Sequence, residues 1–359
     1  MKLPRLLNLL LALSIGHLPL VSSAASAADR PNIIYILADD LGYGDIGVYG
    51  QRLITTPHLD RLAAEGMRFT QHYSGATVCA PSRSALLEGL HGGHASVRGN
   101  QPPHLTDPDR VTLAETLRDA GYATAAIGKW GVGHPPPLDD PQQHGFEHFF
   151  GYINMWHAHN AFPPFLYRNG ERVELAGNEF DPAHPFPDKP EGTGVALNPT
   201  TFAPDLIEDE AVAFIREQQD SPFFLYLALN LPHNNGEARR ALGDGQQAPP
   251  TGEFRDRAGW SEPDRGFARM IRHIDNTVGR IQAQLADLHL AENTLLIFGS
   301  DNGPHENDRD PELFDSNGPL RGTKRDLYEG GVRVPLIAVW PGRIAAGSTS
   351  DHINTMWDL

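Results

Sequence analysis

The sequence predicts an α/β fold in which a largely parallel central sheet is flanked by helices. Two observations support this prediction. Short, continuous apolar runs with β-branched residues are typical of strands that are buried on both faces of a parallel sheet. Between these runs, apolar residues recur at helical spacing. Strands that alternate with helices are typical of this class. The 359 residues suffice for one large domain or two smaller ones.

The first predicted strand is the apolar run from Asn32 to Ala38. Similar runs at 123–127, 223–229, 294–298 and 336–340 predict four further strands. In parallel sheets, ligands bind at the carboxyl ends of the strands. The polar residues that directly follow these runs are therefore the first candidates for a functional site.

Helix signals separate the strands. Thr56-Pro57 starts one predicted helix, which ends before Gly66. Thr112 and Glu115 form a capping box for a second helix, which Gly121 stops. A long amphipathic helix is predicted from apolar residues at helical spacing: Phe267, Met270, Ile271, Ile274, Val278, Ile281, Leu285 and Leu288.

Two segments, 163–204 and 234–263, are rich in Pro, Gly and polar residues and have little periodicity. They are predicted to be long loops. Loops of this length in a compact domain are either functional lids or solvated insertions, and the sequence leaves both interpretations open.

The first 27 residues predict a signal peptide. Lys2 and Arg5 form a basic start, an apolar stretch follows from Leu6 to Leu13, and Ala25-Ser26-Ala27 is a small-x-small cleavage site. The apolar stretch is too short to span a bilayer. We therefore expect export to a periplasm or the medium, with residues 28–359 forming the folded domain.

The formal net charge of −16 argues against a nucleic-acid partner, because the phosphates would be repelled. An anionic ligand would have to be held by a local cluster of cations that acts against the overall field of the chain. Cationic side chains that converge on one site would therefore be informative.

Two strand ends carry oxygen ligands. The first predicted strand runs into Asp39-Asp40, and the strand at 294–298 runs into Asp301-Asn302. If these pairs meet at one edge of the sheet, they form an all-oxygen site of the kind that Ca²⁺ or Mg²⁺ prefers. The alternative is that each pair belongs to an ordinary Asx-rich turn.

Cys79 is the only cysteine in the sequence, so it has no partner for an intrachain disulfide. It lies at a predicted helix start, with Pro81 in the first turn and Arg83 shortly after. A helix N-terminus stabilises anions and lowers the pKa of a thiol. These neighbours favour a reactive cysteine over a buried, inert one.

The segment Cys79-Ala80-Pro81-Ser82-Arg83, followed by Leu86-Leu87, resembles the signature of the type I, formylglycine-dependent sulfatases (arylsulfatases) of the alkaline phosphatase superfamily. Further motifs in family order extend the resemblance over nearly everything after the signal peptide. They are Asn32 to Asp45, Gly128-Lys129-Trp130-Gly131, Leu231-Pro232-His233, Asp301-Asn302-Gly303-Pro304 and Lys324 to Arg333.

The resemblance implies that a maturation enzyme oxidises Cys79 to formylglycine. One hydroxyl of the aldehyde hydrate attacks the sulfur of a sulfate ester, and the other then loses its proton and expels sulfate. It also implies one Ca²⁺, or Mg²⁺, bound by Asp39, Asp40, Asp301, Asn302 and the modified Cys79.

The resemblance also implies roles for the site cations. Arg83 would hold the formylglycine hydroxyl, while Lys129 and Lys324 would bind the sulfate oxygens. His233 would donate a proton to the leaving group.

The sequence departs from the family pattern at several places. Gly131 stands where many relatives have a histidine, and His157 or His159 is a candidate to replace it, with His159 the stronger one. Glu88 replaces a small polar residue in the signature. Family members normally continue into a smaller C-terminal subdomain, which we expect to be missing here.

Two alternative functions remain open. One is a phosphodiesterase or phosphonate monoester hydrolase of the same superfamily, since phosphate and sulfate esters are both tetrahedral anions. The other is a non-catalytic protein that binds sulfated glycans. Which sulfate ester is the substrate depends on loop contacts that the sequence does not reveal.

Overall fold

The computed structural model describes residues 30–100, 109–133, 140–305 and 310–359. Its strands are β1 Asn32–Ala38, β2 Met67–Phe69, β3 His72–Tyr73, β4 Ala123–Lys129, β5 His148–Tyr152, β6 Phe165–Arg168, β7 Glu171–Glu174, β8 Phe223–Ala228, β9 Thr294–Ser300, β10 Leu336–Val339, β11 Ser348–Ser350 and β12 Asn354–Thr355. Its helices are α1 Pro57–Glu65, α2 Cys79–Glu88, α3 Leu113–Asp119, α4 Ala203–Glu217, α5 Gly236–Leu242, α6 Glu262–Asp287, α7 Pro311–Phe314 and α8 Glu329–Val332.

A ten-stranded sheet in the order β11-β2-β10-β9-β1-β8-β4-β5-β6-β7 forms the centre of the molecule. Its middle strands, β9, β1, β8, β4 and β5, are parallel. The predicted α/β fold with a largely parallel sheet is therefore confirmed. Towards both edges, however, antiparallel strands are added: β10 pairs with β9 on one side, and β6 pairs with β5 on the other.

Helices cover both faces of the sheet. On one face, α1, α4 and α6 bury a large apolar cluster that includes the apolar side of α6. On the other face, α2 and α3 pack over a second cluster around Trp130 and Phe146. Helix α6 starts before its first predicted apolar residue because Ser261 and Asp264 form a capping box.

The prediction that 163–204 is only a loop is wrong. The segment contains the hairpin β6–β7, whose two-residue turn Asn169-Gly170 has positive φ angles of 48° and 82°. Asn-Gly is the preferred sequence for such a turn. Residues 234–263 are likewise not all loop, because Asn235 caps the short helix α5 through its side chain.

At the C-terminal end of the chain, Met356–Asp358 form a 3₁₀ turn with Thr355 as its N-cap. The predicted signal peptide, residues 1–27, lies outside the described residues. Among the residues that are described, no helix combines the length and apolar character needed to cross a membrane.

Candidate active site

Two neighbouring strand ends bring the four predicted oxygen ligands together. Asp39 and Asp40 follow β1, Asp301 and Asn302 follow β9, and the parallel register of these strands places the two pairs side by side. The backbone N–H of Asp40 donates to Asp301 Oδ1 at 3.1 Å, and Asn302 Nδ2 donates to Asp40 Oδ1 at 2.7 Å. All four side chains are buried.

This cluster has the composition of a site for a hard divalent cation. Asp39, Asp40, Cys79 and His233 each place a potential ligand atom within 4.8 Å of the others. Asp39 Oδ1 and Asn302 Oδ1 are buried and accept no hydrogen bond from the described residues. Buried oxygens without donors are costly, and Ca²⁺ and Mg²⁺ bind oxygens of this kind. The residues present therefore fit the predicted ion.

Two buried lysines face the carboxylates. Lys129, the last residue of β4, places Nζ 2.6 Å from Asp39 Oδ2. Lys324 Nζ lies 2.6 and 2.8 Å from the two carboxylate oxygens of Asp40. The remaining lysines of the sequence are Lys2 and Lys189, so the site holds a large share of the ammonium groups in an acidic chain.

Arg83 completes the set of buried cations. It projects from α2, and its Nε donates to Asp301 Oδ2 at 2.9 Å. Nη1 donates to the backbone carbonyl of Lys129 at 2.8 Å, and Nη2 lies 3.5 Å from Asp39 Oδ1. Because the guanidinium is fixed by several acceptors at once, it holds the ends of α2, β4 and β9 in one arrangement.

The charges in the cluster shift one another's pKa values. Burial by itself raises the pKa of Asp39, but Lys129 and then His233 lower it well below its usual range. Asp301 differs, since burial and the charge of Asp39 raise its pKa to about 7. Burial alone lowers the pKa of Lys324, but Asp40 brings it above the usual range.

Cys79 is the first residue of α2, as predicted, and is 2% exposed. Its Sγ lies 3.1 Å from Lys324 Nζ and 3.8 Å from Asp40 Oδ1. The expected lowering of the thiol pKa is wrong. Burial, followed by the charge of Asp39, raises the pKa of Cys79 to about 12. The helix start is present, but desolvation of the thiolate outweighs it.

Two histidines stack beside the acidic cluster. His233 Nε2 is 3.4 Å from Asp40 Oδ2, and the ring of His159 lies parallel to it, with centroids 4.5 Å apart. His157 points elsewhere, because it is buried in the core and its Nε2 contacts the carbonyl of Phe165 at 2.9 Å. Of the two candidates for the displaced histidine, the structure places His159 at the site.

The backbone conformation and the close neighbours explain why a glycine occupies position 131. Its φ is +75°, and a Cβ there would lie 3.2 Å from Lys129 Cε and 3.3 Å from Arg83 Cδ. A side chain at this position would be strained and would crowd two site cations. With this backbone, a histidine ring reaches the site with less strain from another segment, and the structure places His159 there.

Glu88 also has a structural explanation. The carboxylate is buried at the end of α2, where it accepts hydrogen bonds from Ser84 Oγ and from Ser96 N and Oγ, and pairs with Arg110 at 3.2 Å. It therefore ties the segment after α2 to the helix that carries Cys79. That segment also brings in Asn100, whose Oδ1 accepts from the Ala80 N–H at 3.2 Å.

Sequence reasoning missed two buried residues near the histidines. The ring of His305 lies over that of His233 at 6.0 Å, and its place shortly after Asp301-Asn302 was a usable signal. Glu237 Oε2 is 3.2 Å from His159 Nδ1, although 78 positions separate the two residues. No local pattern links Glu237 to the site.

Comparisons with known proteins agree with this geometry. The family model described as Sulfatase matches residues 31–358. N-acetylgalactosamine-6-sulfatase of Canis lupus familiaris is 37% identical over 98% of this chain and 64% of its own length. Arylsulfatase A of Homo sapiens is 36% identical over 97% of this chain and 65% of its own length. The chain thus spans less than two thirds of these relatives.

A solved structure, that of Ps i-CgsB in complex with k-i-k-neocarrahexaose, superposes with a TM-score of 0.72 at 28% identity. The match covers 92% of this chain and 70% of the other. The residues matched by the family model, 31–358, include the strands and helices that hold the buried cluster.

Proposed function

This chain belongs to the sulfatase family, and on that premise we propose that it hydrolyses sulfate esters at the site around Cys79. The observation that carries the proposal is the convergence of Arg83, Lys129 and Lys324 on one buried position in a chain of net charge −16. A tetrahedral anion needs such a local cluster, since the overall field repels it.

The substrate that we propose is a sulfated carbohydrate. Relatives named N-acetylgalactosamine-6-sulfatase and a structural neighbour in complex with a neocarrahexaose support this class.

We further propose that a maturation enzyme converts Cys79 to formylglycine. The thiol of Cys79 is 2% exposed, and burial raises its pKa, which makes it a poor nucleophile. Once formed, the aldehyde hydrate supplies a hydroxyl as the attacking group. The same proposal includes export to a periplasm or the medium, directed by residues 1–27 as a signal peptide.

The remaining residues bind the ester and handle its charge. Lys129 and Lys324 hold the sulfate oxygens by their ammonium groups, and the oxygens gain negative charge as the ester bond breaks. Arg83 adds a fixed positive charge next to residue 79 and keeps Asp301 in place. His159 and His233 are the groups near enough to give a proton to the leaving alcohol.

Asp39, Asp40, Asp301, Asn302 and the modified residue 79 would hold one divalent cation, for which we propose Ca²⁺. When bound, the ion supplies Lewis-acid polarisation of a sulfate oxygen. The all-oxygen donors of the four side chains support a hard cation, and Mg²⁺ is the alternative.

Addition of Ca²⁺ is expected to raise the melting temperature of the protein. The stabilisation is about 2.7 kcal/mol at a hundredfold excess over Kd, because the ion binds only the folded chain. Asp39→Asn should abolish most of the shift, while Asp287→Asn, at an exposed aspartate of α6, should leave it intact. Equal shifts in both variants, measured by calorimetry with Ca²⁺ and separately with Mg²⁺, would contradict the site.

The activity itself is tested by sulfate release. Protein made in a host with a maturation enzyme is incubated with sulfated glycans, an aryl sulfate, a phosphodiester and a phosphonate monoester. Release of sulfate alone supports the proposal, and preference for a phosphorus ester supports the alternative hydrolase. Binding of glycans without turnover would instead indicate a non-catalytic sulfated-glycan-binding protein.

A further inference from the structure

The ring of His159 is separated from the acidic cluster by the ring of His233. Its plane is inclined by only 13° to that of His233, which in turn reaches Asp40. His159 itself lies in the 3₁₀ turn His157–His159 that follows β5, and its side chain keeps 17% of its surface exposed. One face of the ring therefore lies against His233, and part of the ring reaches the surface.

A buried carboxylate contacts this ring at its Nδ1 atom. Glu237, in the first turn of α5, is 3% exposed, and its Oε2 lies 3.2 Å from His159 Nδ1. Its other oxygen accepts from Arg240 at 2.9 Å. Asn235 Oδ1 accepts from the N–H groups of Glu237 and Ala238, so the start of the helix is fixed as well.

The contact decides which nitrogen of His159 carries the proton. A carboxylate only accepts hydrogen bonds, so Nδ1 must donate, and the neutral ring has its lone pair on Nε2. His233 differs, because its Nδ1 faces the backbone carbonyl of Asn234 at 2.7 Å rather than a charged group. Among the described residues, His159 is therefore the one of the two stacked histidines whose Nδ1 contacts a carboxylate.

We propose that Glu237 is a positioning residue: it accepts the Nδ1–H of His159, so that Nε2 is the nitrogen that takes up a proton from solvent and, from the imidazolium, gives it to the leaving alcohol. The kinetic consequence rests on the proposed sulfatase activity, whereas the tautomer does not. Burial lowers the pKa of His159 and Glu237 opposes this effect, which is consistent with a carboxylate that steadies the ring.

The first test needs no turnover. Long-range ¹H–¹⁵N spectra of histidine-labelled protein, with His159→Gln to assign the resonance, are expected to show the proton of His159 on Nδ1. Glu237→Ala should move it towards Nε2. The matched control is Glu208→Gln, because Glu208 is another buried glutamate beside a histidine, 3.9 Å from His273, and contacts α6 instead.

The second test is kinetic. Glu237→Gln, which keeps the size of the side chain, should lower kcat by about tenfold or more on an ester with a poor leaving group, and much less on 4-nitrophenyl sulfate. KM should change little, Glu237→Asp should recover part of the loss, and His159→Ala combined with Glu237→Gln should be no worse than His159→Ala alone.

Distinct outcomes separate the two proposals. A neutral His159 ring that carries its proton on Nε2 in the wild-type protein, or a tautomer that Glu237→Ala does not change, overturns the positioning role. Equal losses on both esters, or additive effects in the double variant, overturn it as well. A wild-type protein that releases no sulfate contradicts the proposed function, while the spectra still decide the role of Glu237.

Discussion

Cys79→Ala is expected to lower kcat/KM for sulfate esters by on the order of 10⁴-fold or more, because the attacking group is lost altogether. The substitution removes one buried sulfur atom, which lies near Lys324 and Asp40, and leaves those charges paired with each other. The variant should therefore fold, with a melting temperature close to that of the parent. Sulfate release at matched protein concentration measures the effect.

The control for this experiment is the chemically unmodified parent. Protein made without a maturation enzyme keeps the Cys79 thiol and should be as inactive as Cys79→Ala. The active preparation should weigh about 18 Da less than encoded at the peptide that contains Cys79. Full activity in protein whose Cys79 is unmodified would contradict the formylglycine mechanism, and would point to the thiol itself.

Most of the sheet could be predicted, because continuous apolar runs are typical of strands that are buried on both faces of a sheet. The carboxyl ends of β1 and β9 are adjacent, so the polar residues after these runs also identified the acidic cluster. The hairpin β6–β7 was missed although Asn169-Gly170 is a strong local signal. The strands are short, and only two of their eight residues, Phe165 and Leu166, are buried.

The site was less predictable where burial or distant contacts decide the chemistry. The neighbours of Cys79 in sequence are a helix start and an arginine, and they indicate a lowered thiol pKa. The degree of burial, which reverses the shift, depends on residues from other segments, among them Lys324 and Asp40. Likewise, His157 and His159 are alike in sequence. Only the contacts with Phe165 and with His233 separate a core histidine from one at the site.

Replacing either buried lysine is the other change with a large expected effect. Lys324→Ala and Lys129→Ala should each lower kcat/KM by on the order of 10²-fold or more, the scale for loss of one preorganised contact to developing charge. Lys189→Ala is the matched control: this lysine lies near the ring of Trp156, outside the carboxylate cluster, and activity should change little.

A second measurement distinguishes loss of binding from loss of structure. Lys324 balances both oxygens of Asp40, so Lys324→Ala leaves a buried carboxylate with one cation fewer and should also lower the melting temperature. If Lys324 binds the anion, inhibition by inorganic sulfate should weaken in parallel with kcat/KM, because product and ester share the same contact. A variant that melts earlier but retains its sulfate inhibition and turnover would show that Lys324 only neutralises Asp40.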